Sequence, residues 1–286
     1  MTRVLITGAA GMTGAELARQ GRARGWETTA LARRDLDITD ESAVVEAIRD
    51  AAPDVVVNAA AYTAVDEAER EPGLAMKVNR DGAANVARAA AHGGAALVHI
   101  STDYVFDGAA TTPYRPDSEV NPISAYGATK LAGEESVREC APRHAIVRSS
   151  WVYSHEGRNF VHTMLRLAEA GSDIRVVNDQ HGSPTLAADL AAALLDAAGA
   201  LSRDPSLAGT YHFANSGTTT WYGFAQAVFE ETKLTPRLTP VSTTEFQAAA
   251  RRPRSSMLDT SAFSAAFGVT PRHWRAALRS MLERPQ

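Results

Sequence analysis

The chain has 286 residues, of which 45% are hydrophobic and 22% are charged, the balance of a globular protein with a sizeable core. A formal net charge of −4 gives no basic footprint for nucleic acid or for an anionic membrane, so we expect neither as a partner. The single cysteine, Cys140, excludes an internal disulfide, and no cysteine pair indicates a metal site. The first apolar run is too short for a signal peptide or a membrane span, so we expect a cytoplasmic protein.

In the first half of the chain, short β-branched runs alternate with stretches of helical periodicity. Strands are predicted at 3–7, 27–31, 54–58, 96–100 and 144–150. Helices are predicted at 12–25, 40–52 and 66–92, and around the segment that contains Tyr126 and Lys130. This alternation predicts an α/β fold, a Rossmann-type doubly wound parallel sheet, with residues 1–150 forming a nucleotide-binding domain.

The second half, residues 151–286, is less regular. Helices are predicted at 159–171, 185–200 and 271–284, and a strand at 210–215. We expect a smaller C-terminal substrate-binding lobe that forms one wall of a cleft. Some of its segments are expected to return to the first domain.

A glycine-rich loop joins the first predicted strand to the first predicted helix. Gly8, Gly11 and Gly14 follow a G-x-x-G-x-x-G pattern, with Met12 and Thr13 between the last two glycines. Such a loop allows a tight turn, close approach of a pyrophosphate and close helix–strand packing, while the helix N-terminus directs free N–H groups at the phosphates. The loop therefore predicts a dinucleotide site.

The end of the second strand indicates which dinucleotide is bound. The acid that would hold a ribose hydroxyl is absent, and Arg33 and Arg34 stand there instead. A guanidinium suits a 2′-phosphate, which favours NADPH, with NADH as the alternative. The glycine spacing resembles that of the extended short-chain dehydrogenase/reductases, which implies that Asp37 and Ile38 line the adenine pocket.

The stretch "SAYGATKLAGEE" places Tyr126 four residues before Lys130, on one helical face. A lysine in that position can favour the ionised form of the phenol, and the tyrosine can then donate a proton to a carbonyl oxygen. Thr102 or Ser101, at the end of the preceding strand, can supply a second hydrogen bond to the same oxygen. The pair is therefore predicted to be catalytic.

Several motifs together resemble the dTDP-4-dehydrorhamnose reductase family: "STDYVFDG", "NPISAYGATKLAGE", "RSSWVYS", "VVNDQHGSPT" and "RRPRSSMLD". The resemblance implies NAD(P)H-dependent reduction of the 4-keto group of dTDP-4-dehydro-L-rhamnose. It implies a catalytic triad of Thr102, Tyr126 and Lys130. It further implies cofactor contacts from Asn58, Ala59, Ala60, Ala61, Tyr62 and Asn79, besides Tyr126 and Lys130. The implied substrate contacts are Thr102, Asp103, Tyr104, Trp151, Asn159, Phe160, Gln180 and Arg252.

Alternatives stay open at this point. Trp151 can be a core residue, Asn159 and Gln180 can serve only the loop backbone, and 251–254 can be a solvated charge run. The same residues suit a ketoreductase or ring-contracting reductase for another dTDP-deoxysugar, whereas an epimerase, a dehydratase or a non-catalytic regulatory subunit fits less well. No metal site is predicted, and magnesium, monomer or homodimer, C4 stereochemistry and the pathway served are left open.

Overall fold

The computed structural model describes residues 1–283. Its strands are β1 (Arg3–Thr7), β2 (Glu27–Leu31), β3 (Val55–Asn58), β4 (Ala96–Thr102), β5 (His144–Ser149), β6 (Val152–Tyr153), β7 (Ile174–Val177), β8 (His181–Gly182), β9 (Thr185–Leu186), β10 (Gly209–His212), β11 (Thr219–Thr220), β12 (Leu238–Val241) and β13 (Ser255–Ser256).

Its α-helices are α1 (Met12–Ala23), α2 (Glu41–Ala51), α3 (Val65–Arg70), α4 (Pro72–Met76), α5 (Ala83–His92), α6 (Ala125–Cys140), α7 (Phe160–Glu169), α8 (Ala187–Arg203), α9 (Trp221–Thr232), α10 (Thr243–Phe246), α11 (Ser261–Phe267) and α12 (Trp274–Leu282). A π-helical segment covers Lys77–Gly82, and short 3-10 turns cover Asp103–Val105 and Pro205–Leu207.

Within the described residues, six parallel strands form the main sheet in the order β10-β5-β4-β3-β1-β2. The predicted strands of the first half are confirmed, with shifts of at most two residues at their ends. All four residues of β3 are buried, as expected for a central strand of a parallel sheet. The order of strands along the chain reverses between β1 and β3, which makes their carboxyl ends the expected place for a ligand.

Two apolar layers cover the two faces of the main sheet. On one face, Leu5, Val56 and Leu97 pack with buried residues of α2, α5 and α6. On the other face, Ile6 and Val98 pack with α8, a helix from the second half of the chain. The sheet is therefore completed by α8 and β10, which both follow residue 151.

The prediction of one helix over 66–92 is wrong, because the segment divides into α3, α4, a π-helical turn and α5. Pro72 explains the first break: the residue before a proline avoids the helical region, and Glu71 has φ −124° and ψ 53°. The π-helical turn Lys77–Gly82 follows α4 directly and turns the Asn79 side chain toward Tyr62 and α6. The apolar periodicity is continuous over 66–92, but the helical conformation of the backbone is interrupted there.

The remaining elements form a smaller lobe. Tyr153, Phe224 and Trp274 lie at the centre of its core, between α7, α9 and α12. Three small sheets edge this lobe: β11-β8-β13, β12-β7 and β6-β9. The predicted helices of the second half are confirmed in the described residues, although the last one ends at Leu282 and position 284 lies outside them.

Candidate active site

A cleft of about 680 Å³ runs along the carboxyl ends of the main sheet, between the sheet and the smaller lobe. At one end it is lined by the glycine loop and the end of β2, and at the other by β4, α6 and the first residues after β5. Most of the predicted site residues line it: Gly8, Gly11, Met12, Thr13, Gly14, Arg33, Asp37, Ile38, Ala59, Ala60, Ala61, Tyr62, Thr102, Asp103, Tyr104, Tyr126, Lys130 and Trp151.

The backbone of the glycine loop approaches its neighbours so closely that no side chain fits at Gly8 or Gly14. Gly8 has φ +68°, and a Cβ there would lie 2.6 Å from the backbone of Ala59. A Cβ on Gly14 would lie 2.1 Å from the carbonyl oxygen of Gly8. Helix α1 begins beyond Gly11 with no side chain capping it, so its first N–H groups are available to an anion. This cradle fits a pyrophosphate.

Arg33 lines the outer end of the cleft, beyond β2. Its side chain is 78% exposed, and its Nε lies 3.9 Å from a carboxylate oxygen of Asp37. Hydrogen bonds donated by the backbone and hydroxyl of Thr39 hold the pKa of Asp37 below its usual range, so Asp37 is charged at neutral pH. Arg34 is not among the lining residues, and its Nε lies 3.5 Å from Asp35.

The structure brings Thr102, Tyr126 and Lys130 together at the inner end of the cleft. Thr102 is the last residue of β4, while Tyr126 and Lys130 lie in the first turns of α6, which the Ser124 side chain caps. The three side chains are 6%, 9% and 3% exposed, so water has little access to them. The Lys130 ammonium donates a hydrogen bond to the carbonyl of Ile100 at 2.7 Å, which fixes it below the cleft floor.

Burial governs the protonation of this trio. It raises the pKa of Tyr126 to about 12, against a smaller opposite effect of its hydrogen bond with Thr102. Burial also lowers the pKa of Lys130 to about 8, while the nearby Glu134 carboxylate acts in the opposite direction. Tyr126 is therefore a phenol at neutral pH and holds a proton to donate, and Lys130 is mostly charged.

A buried ion pair lies behind the trio. Glu134, one helical turn beyond Lys130, accepts two hydrogen bonds from Arg148 at 2.8 and 2.7 Å and one from Ser101 at 2.6 Å. Burial raises the pKa of Glu134, but the hydrogen bonds and charge of Arg148, together with the Ser101 hydrogen bond and the charge of Arg138, outweigh it and keep the pKa low. This network ties α6 to β4 and β5 and so fixes the height of Lys130 relative to Thr102.

Three residues predicted to contact the cofactor or substrate have their side chains fully engaged elsewhere. Asn58 accepts from Thr7 and contacts His99. Asn79 bonds both backbone groups of Tyr62 and the Thr129 hydroxyl. Asn159 caps α7 and donates to the Ser154 carbonyl. These three side chains hold the segments around the cleft in place, and they are not among the residues that line it.

Three further predicted substrate residues also lie off the cleft lining. Phe160 packs in the core of the smaller lobe against Trp221 and Phe224. Gln180 is buried and donates to Thr243. Arg252 forms a bidentate pair with Asp66 at 2.7 and 3.1 Å, so its guanidinium joins the two lobes. Contact of these residues with a substrate remains a prediction.

The cleft lining also includes residues that were not predicted from the sequence, among them Trp221 and Ser149. Trp221 stacks on Trp151 with ring centroids 3.8 Å apart. Ser149, paired in register with Thr102 on the neighbouring strand, has a buried hydroxyl with no hydrogen-bond partner among the described residues. Ser149 could have been found from the "RSSWVYS" motif, whereas nothing local marks Trp221.

The sequence profile of the RmlD substrate binding domain family matches residues 1–286. The chain belongs to this family. It is 47% identical to the dTDP-4-dehydrorhamnose reductase of Streptomyces griseus, over 96% of this chain and 91% of that one. It is 45% identical to the spore coat polysaccharide biosynthesis protein SpsK of Bacillus subtilis, over 99% and 98% of the two chains.

A solved structure of this family has the same fold. The dTDP-4-dehydrorhamnose reductase of Bacillus anthracis strain Ames, in complex with NADP, is 39% identical, covers 98% of both chains and superposes with a TM-score of 0.93. Among residues 1–283 of our chain, no helix combines the length and apolarity needed to cross a bilayer. The same residues contain no group of three or more His, Cys, Asp or Glu side chains arranged to hold a metal ion.

Proposed function

We propose that this member of the RmlD family reduces the 4-keto group of dTDP-4-dehydro-L-rhamnose to give dTDP-L-rhamnose, with NADPH as reductant. One observation carries the proposal: Thr102, Tyr126 and Lys130 lie at the buried end of a cleft whose other end is a phosphate cradle. The relative from Streptomyces griseus, named dTDP-4-dehydrorhamnose reductase, supports the choice of sugar.

The protein side chains have separate roles in this reaction. The bound nicotinamide supplies the hydride. Tyr126 donates its phenolic proton to the oxygen that becomes the C4 hydroxyl, and burial keeps that proton in place until it is needed. Thr102 gives the same oxygen a second hydrogen bond. Lys130, charged below pH about 8, stabilises the phenolate that remains, and Tyr126 then recovers a proton from solvent.

Preference for NADPH over NADH rests on Arg33. The guanidinium lies at the cleft end beyond β2, is 78% exposed and is paired only at 3.9 Å, so it is available to a 2′-phosphate. The relative from Bacillus anthracis, solved in complex with NADP, supports this preference.

The test is a turnover assay with dTDP-4-dehydro-L-rhamnose, followed by nicotinamide absorbance with NADPH and NADH in parallel, and with identification of the product by NMR. We expect dTDP-L-rhamnose, faster with NADPH. Tyr126→Phe should lower kcat by about 10²–10⁴-fold because the proton donor is lost. Tyr211→Phe is the matched control, since its hydroxyl bonds the Leu207 carbonyl at the sheet edge, away from the cleft. Turnover to a different sugar, or none at all, would refute the proposed substrate.

A further inference from the structure

The motif "NDQHGSPT", residues 178–185, lies in the smaller lobe, and the proposed chemistry uses none of its side chains. The backbone next to it is unusual: Trp151, two residues after the end of β5, has φ +49°. A bulky residue rarely adopts this left-handed conformation, and it does so only where the surroundings enforce it. The motif supplies those surroundings.

Residues of the motif contact Trp151 at two points and its neighbour Ser150 at a third. The Thr185 N–H donates to the Trp151 carbonyl at 3.1 Å, and the Ser150 hydroxyl donates to the Ser183 carbonyl at 3.1 Å. Gly182 lies against the indole itself: a Cβ at this position would lie 2.6 Å from Cε2 of Trp151. The indole can occupy its observed place only because residue 182 has no side chain.

The same motif also fixes Trp221. Strand β11 pairs with β8 in the register Thr219↔Gly182, and the Thr220 hydroxyl donates to the Asn178 side chain at 2.7 Å. Trp221 follows at once as the first residue of α9. Its ring stacks on that of Trp151, with centroids 3.8 Å apart and 12° between the planes. The motif 178–185 therefore positions both tryptophans.

The stacked pair lies beside the reacting end of the cleft. Trp151 comes two residues after Ser149, whose partner in the sheet is Thr102, and both indoles line the cleft. In the proposed reaction the C4 carbonyl of the sugar must reach Thr102 and Tyr126. The part of the sugar nucleotide that lies against this wall is therefore the hexose ring, whose C–H faces pack well on an indole.

We propose that Gly182 is a positioning residue, which holds Trp151 and Trp221 as a two-tryptophan wall against which the hexose of the dTDP-sugar binds. This inference rests on the proposed function for the identity of that sugar. On this proposal, the motif 178–185 holds the backbone of Trp151 in the left-handed conformation that places its indole in the wall.

Two variants test the wall, Gly182→Ala and Trp221→Leu. The matched control is Trp26→Phe, because Trp26 precedes β2 at the amino end of the sheet, away from the cleft. Stacked indoles couple electronically, so wild type and Trp26→Phe should share a coupled band in near-UV circular dichroism that both wall variants lose. Calorimetric titration with NADPH should give wild-type affinity in every variant, showing that the nucleotide domain is folded.

Calorimetry with dTDP-L-rhamnose and with dTDP then locates the contact. We expect the wall variants to bind dTDP-L-rhamnose about tenfold more weakly and dTDP with unchanged affinity. Equal losses for both ligands would place the wall at the nucleotide and overturn the proposal. So would an unchanged circular dichroism band in Gly182→Ala, or dTDP-L-rhamnose affinity equal to that of the wild type. Because these readouts need no turnover, they can succeed even where the reductase assay fails.

Discussion

Three ionisable side chains meet at the inner end of the cleft. Burial shifts the pKa of each one in the direction that favours its uncharged form. The pKa of Tyr126 rises to about 12, that of Lys130 falls to about 8, and that of Asp103 rises to about 6. Asp103 is 2% exposed and accepts a hydrogen bond from the Thr102 hydroxyl. Single residues of ordinary type thus gain unusual proton affinities from where the fold places them.

Asp103 should make the folded state less stable as pH rises. Its carboxyl pKa is 3.8 when unfolded and about 6 when folded, so the native protein binds the proton more tightly. The resulting stabilisation is full below pH 4 and is lost as pH rises through 6, by about 3 kcal/mol at most. Asp103→Asn should therefore match wild type near pH 4 and exceed its free energy of unfolding near pH 7.

Urea denaturation of both proteins at a series of pH values measures this difference. The difference should grow between pH 4 and 7 and then level off. A constant difference across that range would mean that the charge on Asp103 is already compensated in the native protein, which contradicts the predicted shift.

At the scale of elements, the cofactor cradle forms where the backbones of three segments of the chain meet. The turn after β1 lies against the loop after β3, and the first turn of α1 lies against the turn after β1. Because the approaches are closer than any side chain permits, the loop geometry depends on glycine at Gly8 and Gly14.

Gly14→Ala should impair cofactor binding more than folding. Its Cβ would lie 2.1 Å from the Gly8 carbonyl oxygen, so the loop must move away from α1 and the cradle opens. We expect the Kd for NADPH, measured by calorimetry, to rise at least about tenfold. Gly73→Ala is the matched control, because no atom lies within 4 Å of its Cβ position. Equal NADPH affinity in the two variants would show that the cradle tolerates a methyl group.

At the scale of the whole molecule, the boundary at residue 150 does not divide the hydrophobic core. Helix α8 lies after that boundary, yet Leu190, Leu194 and Leu201 pack on the same sheet face as Val4 and Val57. Strand β10 extends the sheet beside β5. The chain thus returns to its first domain after building part of the second, and the two should unfold together.

Leu194→Ala tests this shared core. Leu194 is fully buried, so its truncation should lower the free energy of unfolding by about 2–5 kcal/mol in urea. Leu74→Ala, at an apolar position that is 41% exposed, should change it by less than about 0.5 kcal/mol. Hydrogen exchange should quicken at the amides of β1 and β3 in Leu194→Ala. Protection there equal to that of the wild type would mean that α8 does not support the sheet.

Much of the first domain followed from local patterns in the sequence. The β-branched runs at 3–7 and 27–31 are strands with those bounds, and the glycine loop lies between β1 and α1 as expected. Tyr126 and Lys130 share a face because a helix repeats every 3.6 residues. Periodicity and glycine spacing act over a few residues, so the sequence alone is enough to predict them.

The other features of the fold and the site could be determined only from the tertiary structure. The division of 66–92, the engagement of Asn79 and Arg252 by other protein groups, and the stacking of Trp221 on Trp151 all depend on residues far apart in the chain. The pKa shifts depend on burial, which is a property of the assembled core. The sequence determined the chemical groups and their local geometry. Packing between distant segments determined which of those groups face the cleft and which hold it in shape.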